Sequence, residues 1–421
     1  MTTNQAIVCR IKTRPHPKAD RLQLGTAMGF QVVLGLDVED GTLGVFFDSN
    51  LRLSDEFCIT NDLFPRYDED GKKIGGGFFN PKNARVKAQT FRGEKSFGYW
   101  TSLESLTFAG DVSKLREGDQ FDTFNDIKIC EKYIVPVKSN TQGKKQHSNR
   151  IRGTKMIPRH YDTEQYKYKK DRIEVGDLIT ITLKMHGTSG RYGLVILPPQ
   201  EPTNIFLKLW HKLYPQEDVY GYIHGTRNVL LDDNEGGYYG DNGFRDNVVR
   251  DVILHQGETI YFEIVGWVND EKPIMNSVPT KTVADKSFKK HYGDTMTFKY
   301  GCPAGTQAMY VYRITRSTHD GTVTELSWNQ VVNRCNELGI NHVPELRQYV
   351  FDGDFESLEM YLDDVHEGED MIDPSHIKEG VVVRVDTKQG EHYALKYKSY
   401  LFYVLEGIVK DQGLVDMEDI A

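Results

Sequence analysis

Residues 177–197, DLITITLKMHGTSGRYGLVIL, alternate apolar and polar side chains and then place a lysine just before a glycine turn. In strand register Ile179, Ile181 and Leu183 point to one face, and Thr180, Thr182 and Lys184 to the other. Lysines normally belong in solvent, so a strand that aims one inward needs something there to meet the charge. Three further stretches pose the same demand. ETIYFEIVGWV (258–268) holds Glu263 in the middle of an aromatic and β-branched run. KEGVVVRVD (378–386) puts Glu379 at the mouth of an apolar strand, and YALKYKSYLF (393–402) spaces Lys396 and Lys398 two apart, on one strand face. Each alone is what the exposed face of an ordinary strand would show. Together, two lysine-bearing and two carboxylate-bearing strands describe a site for a nucleotide phosphate and a metal ion.

The rest of the 421-residue chain sets the frame. That length predicts two or three domains. Residues 5 to about 130 read as short strands with Gly and Asp turns, the pattern of a small β-barrel. Residues 138–155, KSNTQGKKQHSNRIRGTK, carry almost no apolar side chains and read as a flexible basic linker. From about 156 onward, strands (TIYFEIVGWV, EGVVVRVD) alternate with stretches of helical spacing (FLKLWHKLY, LSWNQVVNRCNELGI). The expected class is α+β: an OB-like barrel over 1–130, a linker over 131–155, and a second domain of antiparallel sheets with flanking helices over 156–421.

Net charge is −9, which taken alone argues against nucleic acid. Its distribution argues otherwise: residues 132–172 hold twelve Lys/Arg against three Asp/Glu, and an acidic stretch at 352–374 compensates. No run of 18 apolar residues occurs and the N-terminus lacks a signal-peptide layout, so no membrane association is expected. The five cysteines are odd in number, far apart and without a Cys-x-x-Cys pair, which disfavours a disulfide framework or zinc site and fits a cytoplasmic protein. The Gly-rich loop at 232–246 has no Gly-Lys-Ser/Thr ending and is not a P-loop; its Arg245 either faces the substrate ends or belongs to a plain surface loop.

The ordered set Lys-x-His-Gly-Thr-Ser, Phe-Glu-Ile-Val-Gly, Glu-Gly-Val-Val-Val and Leu-Lys-Tyr-Lys-Ser resembles the covalent nucleotidyltransferases: RNA ligases, DNA ligases and mRNA capping enzymes. Lys184 would belong to their nucleotidyl-lysine motif I, Glu263 to motif III, Glu379 to motif IV, and Lys396 and Lys398 to motif V. GTRNVLL (225–231) resembles motif Ia through Arg227, and MYVYRIT (309–315) resembles motif IIIa, although Arg313 stands where relatives often have Asp. His186 favours the RNA ligases, because the other branches usually carry Asp there. Architecture points the same way. Those branches place an OB-fold after motif V, whereas here 23 residues follow Lys398 and the barrel-like segment precedes motif I. That order is similar to the Deinococcus- and Naegleria-type RNA ligases. HPKADRL (16–22) also resembles tRNA-binding OB modules.

The resemblance implies three nucleotidyl transfers. Lys184 attacks the α-phosphate of ATP and expels pyrophosphate, AMP passes to a 5′-phosphate end, and a 3′-hydroxyl displaces the AMP. A free lysine titrates near 10.4, so only about one in a thousand is neutral at pH 7. A nucleophilic lysine therefore needs company that favours the amine, which Lys396, Lys398 and a divalent cation would supply. The same two lysines would clamp the α-phosphate. Glu379, with Glu263, would hold Mg²⁺ or Mn²⁺ through water. The implied nucleotide contacts are Lys184, Gly187, Thr188, Arg227, Glu263, Lys396 and Lys398. Tyr310 or Tyr312 would stack on the base, or both are core aromatics, and Val381 would cover the other face. Relatives often read adenine with a Glu near motif I; here Thr182 and Leu183 precede Lys184, so ATP over GTP follows the family and not a visible residue.

In the N-terminal segment ARVKAQTFRGEKSFGYW (84–100), Arg85, Lys87, Arg92 and Lys95 interleave with Phe91, Phe97, Tyr99 and Trp100. Basic groups on phosphates and rings on bases are how OB modules hold single strands or nicks; a barrel strand with core aromatics explains the rings alone. The expected partner is RNA or an RNA-containing nick, with DNA 5′-phosphate ends also open, and the expected state is a monomer. The alternatives are a GTP-dependent capping-type transferase, a DNA-preferring ligase, and an inactive nucleic-acid-binding repair scaffold. The last predicts erosion of the motif residues, all of which are present.

Overall fold

The computed structural model describes residues 5–134, 157–158, 160, 163–197, 219–227, 230–231, 243–280, 283 and 286–412. Most of the expected linker, the segment 198–218 with its helical stretch FLKLWHKLY, and residues 232–242 of the Gly-rich loop lie outside them. The chain divides into two compact units. One is Met1–Pro136 with Glu164–Lys170 and Tyr403–Asp411; the other is Val137–Thr163 with Asp171–Phe402 and Gln412–Ala421.

The N-terminal unit is mostly short strands and turns, with one short α-helix at Asp55–Thr60 and a 3-10 helix at Leu103–Ala109 among them. Gly98–Ser102, Leu43–Asp48, Ala6–Arg10 and Gln120–Phe121 form an antiparallel sheet in that order. Ile11 then breaks the ladder, and the chain re-enters as Lys12–Pro15 in a second sheet with Leu22–Ala27 and Phe30–Gly35. Small hairpins complete the unit, among them Gln89–Phe91 with Glu94–Ser96. Among the described residues the strands pair as separate open sheets and not as one closed barrel.

Two expectations for this unit need correction. Arg85 was expected on phosphates, but it is buried. The Leu53 amide donates to Ala84 O and the Val86 amide to Leu51 O, which lays 84–86 along the strand Leu51–Leu53 and turns Arg85 inward. Its guanidinium donates to Gly407 O at 3.0 Å and lies 5.0 Å from the Tyr133 ring centroid. The rings are core as well: Trp100 donates its indole N–H to Cys9 O, Tyr99 packs on Phe47 and Phe79, and Phe97 on Phe30. Burial pushes the Tyr99 phenol up to about 12. Lys87 and Lys95 are half-buried, and Arg92 is exposed at the tip of the hairpin, where it and Gly93 both take positive φ.

The second unit is built mainly from two sheets whose long ladders are antiparallel, which explains the paired strand signals in the sequence. One contains, in order, His392–Lys398, Gly380–Asp386, Leu178–Leu183 and Glu345–Val350. The other runs Leu230–Leu231, Tyr220–Gly225, Thr188–Ile196, Glu258–Gly266, Gln307–Ser317 and Val323–Glu325. The turn 184–187 carries the chain from the first sheet to the second. Strand Gln307–Ser317 bulges at Tyr312: Tyr261 pairs with Arg313 and Phe262 with Val311, leaving Tyr312 as the extra residue.

Helix Trp328–Leu338, read from its apolar spacing, packs back through Arg334. The Arg334 guanidinium grips the fully buried Glu258 with two hydrogen bonds of 2.9 Å. At the N-terminus of this helix the Ser327 amide donates to Gln330 Oε1. Arg384 joins the two sheets, donating to Thr182 Oγ1 at 3.2 Å in its own sheet and to Tyr312 O at 2.7 Å in the other. The mixed α+β class agrees with expectation.

Candidate active site

Lys184 follows the last residue of the strand Leu178–Leu183, and its amide donates to Gly380 O at 3.0 Å. That backbone tie sets the lysine beside the residue preceding Gly380. The Lys184 ammonium lies 2.9 Å from Glu379 Oε1, and the Lys398 ammonium reaches the same oxygen at 3.2 Å. The carboxylate is nearly closed to solvent, with 6 % of its side chain exposed, while Lys184 keeps 24 %. The inward lysine thus meets a buried glutamate that a second lysine shares. Burial alone would raise the Glu379 carboxyl, but the two ammonium groups outweigh it and hold it below its usual range. Lys398 faces Gly380 across the ladder, and Lys396 lies opposite Val382, two pairs further in and on the same face.

Glu263 serves the same turn from the other sheet. The Gly187 amide donates to its Oε1 and the Ser189 hydroxyl to its Oε2, both at 3.2 Å. Gly187 must be glycine: a Cβ there would sit 2.2 Å from Ile264 O. Tyr310 pairs directly with Glu263, and the Tyr312 phenol is pushed up by burial and then by Glu263. Val381 was expected to cover the base, but it is completely buried opposite Leu183 and Tyr397, on the sheet face turned away from Lys396 and Lys398. Arg227 is half-buried and acts on His160, whose imidazole is held neutral by burial and then by Arg227, Arg313, Arg191 and Lys184.

Several site residues went unread or unresolved in the sequence. Arg245 is buried and donates to Thr188 Oγ1 at 3.0 Å and Ser189 O at 3.2 Å, so it braces the strand that faces Glu263. His186 stands edge-on to Phe298 and Phe402, with Nδ1 3.9 Å from Glu379 Oε2. Its amide donates to Tyr300 Oη at 2.7 Å. Arg384 offered the same signal as Glu263, a charge inside an apolar strand, and that signal would have found it.

The oxygen donors of Glu379 and Glu263 suit a hard divalent cation. Among the described residues no cluster of three or more His, Cys, Asp or Glu forms a closed metal cage.

A lysine at the seam of two antiparallel sheets, with one glutamate and a second lysine from the first sheet and another glutamate from the second, is the layout of a covalent nucleotidyltransferase. The chain belongs to the RNA ligase family, whose model matches residues 177–398. Its fold is similar to that of Naegleria gruberi RNA ligase. A mutant of that enzyme in the apo state superposes with a TM-score of 0.60 at 16 % identity, over 96 % of this chain and 98 % of that one. The structure with pyrophosphate gives 0.59 at 14 % identity, over 94 % and 97 %, and a mutant with AMP and Mn gives 0.58 at 15 %, over 94 % and 97 %. No curated protein matches the sequence.

Proposed function

We propose that this RNA ligase uses ATP to seal a 3′-hydroxyl RNA end to a 5′-phosphate end, through lysyl-AMP on Lys184 and a 5′-adenylated strand. The observation that carries the reading is the Lys184–Glu379–Lys398 cluster, with Nζ–Oε1 distances of 2.9 and 3.2 Å. In the first transfer the Lys184 amine loses a proton and forms a bond to the α-phosphorus as the bond to the β-phosphate oxygen breaks and pyrophosphate leaves. Lys398, with Lys396, neutralises charge growing on the α-phosphate. Arg227, Gly187 and Thr188 meet the phosphates and sugar, Glu263 orients the turn, and Tyr310 or Tyr312 stacks on the base. When bound by Glu379 and Glu263, Mg²⁺ or Mn²⁺ supplies positive charge at the phosphates. The Naegleria gruberi structures with ATP and Mn, with AMP and Mn, and with pyrophosphate support that nucleotide and metal choice.

The N-terminal unit is proposed as an OB-like module over about 1–130 that grips the strand presenting the 3′-hydroxyl, through Arg92, Lys87 and Lys95. A basic linker then leads to the nucleotidyltransferase domain, in a protein proposed to act as a cytoplasmic monomer. Among the described residues no helix is long and apolar enough to cross a membrane.

Intact mass after incubation with ATP and Mg²⁺ tests the reading. One AMP adduct, dependent on ATP and absent in Lys184→Ala, is expected. No adduct in folded protein first stripped of AMP with pyrophosphate would overturn it.

A further inference from the structure

The motif residues fix what reacts; they do not explain what holds the lysine still. Lys184 sits in a turn anchored on both sides by backbone amides. Before it, its own amide is tied to Gly380 O. Beyond it, the His186 amide is tied to a side chain, Tyr300 Oη, at 2.7 Å.

Tyr300 is a buried aromatic residue with φ +50°, a left-handed conformation that is strained for a bulky side chain. Such a conformation persists only where its surroundings over-determine it. Here the next amide, that of Gly301, donates to Asp373 Oδ2 at 2.8 Å. Asp373 is itself fixed by the Ser375 amide at 3.0 Å. His376 stands edge-on to the Tyr300 ring, with centroids 4.5 Å apart, and packs against Phe298, which in turn packs against His186. Asp373 and His376 lie on the segment that ends at Glu379. The turn carrying the nucleophile and the segment carrying its carboxylate partner are thus locked to each other through one strained tyrosine.

We propose that Tyr300 is a positioning residue for adenylyl transfer to Lys184, its phenolic oxygen fixing the 185–186 peptide and so the direction from which the amine meets the α-phosphorus. The inference rests on the ligase reading above. Tyr300→Phe keeps the ring and removes only the acceptor, leaving the His186 amide without it.

The test compares two reactions of the full chain. One is single-turnover formation of the Lys184 adduct over a range of ATP concentrations. The other is sealing of a chemically 5′-adenylated RNA strand without ATP, which does not use the lysine. Tyr300→Phe is expected to slow adduct formation at saturating ATP by about 10- to 100-fold, the scale of a small misplacement of a reacting group. The half-saturating ATP concentration and the sealing rate stay at wild-type values. Asp373→Ala, which releases Gly301, is expected to show the same split and serves if Tyr300→Phe does not fold. Equal adduct rates in wild type and variant would overturn the inference alone, as would equal losses in both reactions, the mark of a merely structural role. Failure of the wild type to form any adduct would overturn the ligase reading and the inference with it.

Discussion

Arg85 in the N-terminal unit and Lys184 in the second unit are both basic residues that the chain turns inward, and their fates differ. The Arg85 guanidinium ends on a backbone carbonyl and the face of Tyr133, so its hydrogen bonding is absorbed by the fold. The Lys184 ammonium ends on a carboxylate that Lys398 also claims, in a pocket still open to solvent on the lysine side. An inward charge is therefore not in itself a site. What distinguishes the two is the partner: a neutral backbone group closes the account, whereas a shared carboxylate leaves a cluster of charge that a phosphate and a metal ion can enter.

The sharpest way to break this comparison is at the shared carboxylate. Glu379→Gln is expected to lower the rate of adduct formation by about 10²- to 10³-fold, the usual scale for removing one preorganised charged group. Its pH dependence sharpens the point. The folded Glu379 carboxyl lies below its unfolded value near 4.3. The stability this confers is therefore complete above about pH 5 and is lost as pH falls through the folded value. Urea unfolding between about pH 6 and pH 3 should show wild type losing stability faster than Glu379→Gln in the acidic part of that range. Parallel curves would mean that the lysine pairs contribute nothing to folding.

Arg85→Met tests the other side. Leaving the Gly407 carbonyl without its donor is expected to lower unfolding free energy by about 1–3 kcal/mol. The salt dependence of RNA binding should stay unchanged. A shallower salt slope with intact stability would put Arg85 back on the phosphate track. The smallest effect belongs to Arg92→Gln at the exposed hairpin tip: stability within about 0.5 kcal/mol of wild type, and a salt slope reduced by about one. Filter binding at several salt concentrations measures both slopes.

These contrasts also mark what the sequence could show. Lys184, Glu263, Glu379 and Lys398 were legible because a charge inside an apolar run is a local anomaly, and four such anomalies in family order leave few readings. The helix Trp328–Leu338 and the strands that carry the motifs followed from spacing. Tyr300 was not legible: it sits in a turn with no period, and its partner His186 is 114 residues away. Arg245 is a similar case, since only tertiary packing turns a loop-flanking arginine onto Thr188 and Ser189. Arg85 was misread for the converse reason. Alternation with aromatics signals a strand, but which side of it faces solvent depends on the pairing of 84–86 with Leu51–Leu53, which lies some thirty residues away in the chain.

The arginine that bridges the two sheets has a consequence for how the pocket meets its ligand. Arg384 holds Thr182 in one sheet and the Tyr312 carbonyl in the other, and rests 4.5 Å from the Trp328 ring centroid. Glu379 and Lys398 come from the first of these walls, Glu263 and Tyr312 from the second. The gauge of the cleft is thus fixed by a protein group that is present whether or not a nucleotide is. Ordering the walls is part of folding, so a nucleotide entering them forfeits less of its binding energy to closing them.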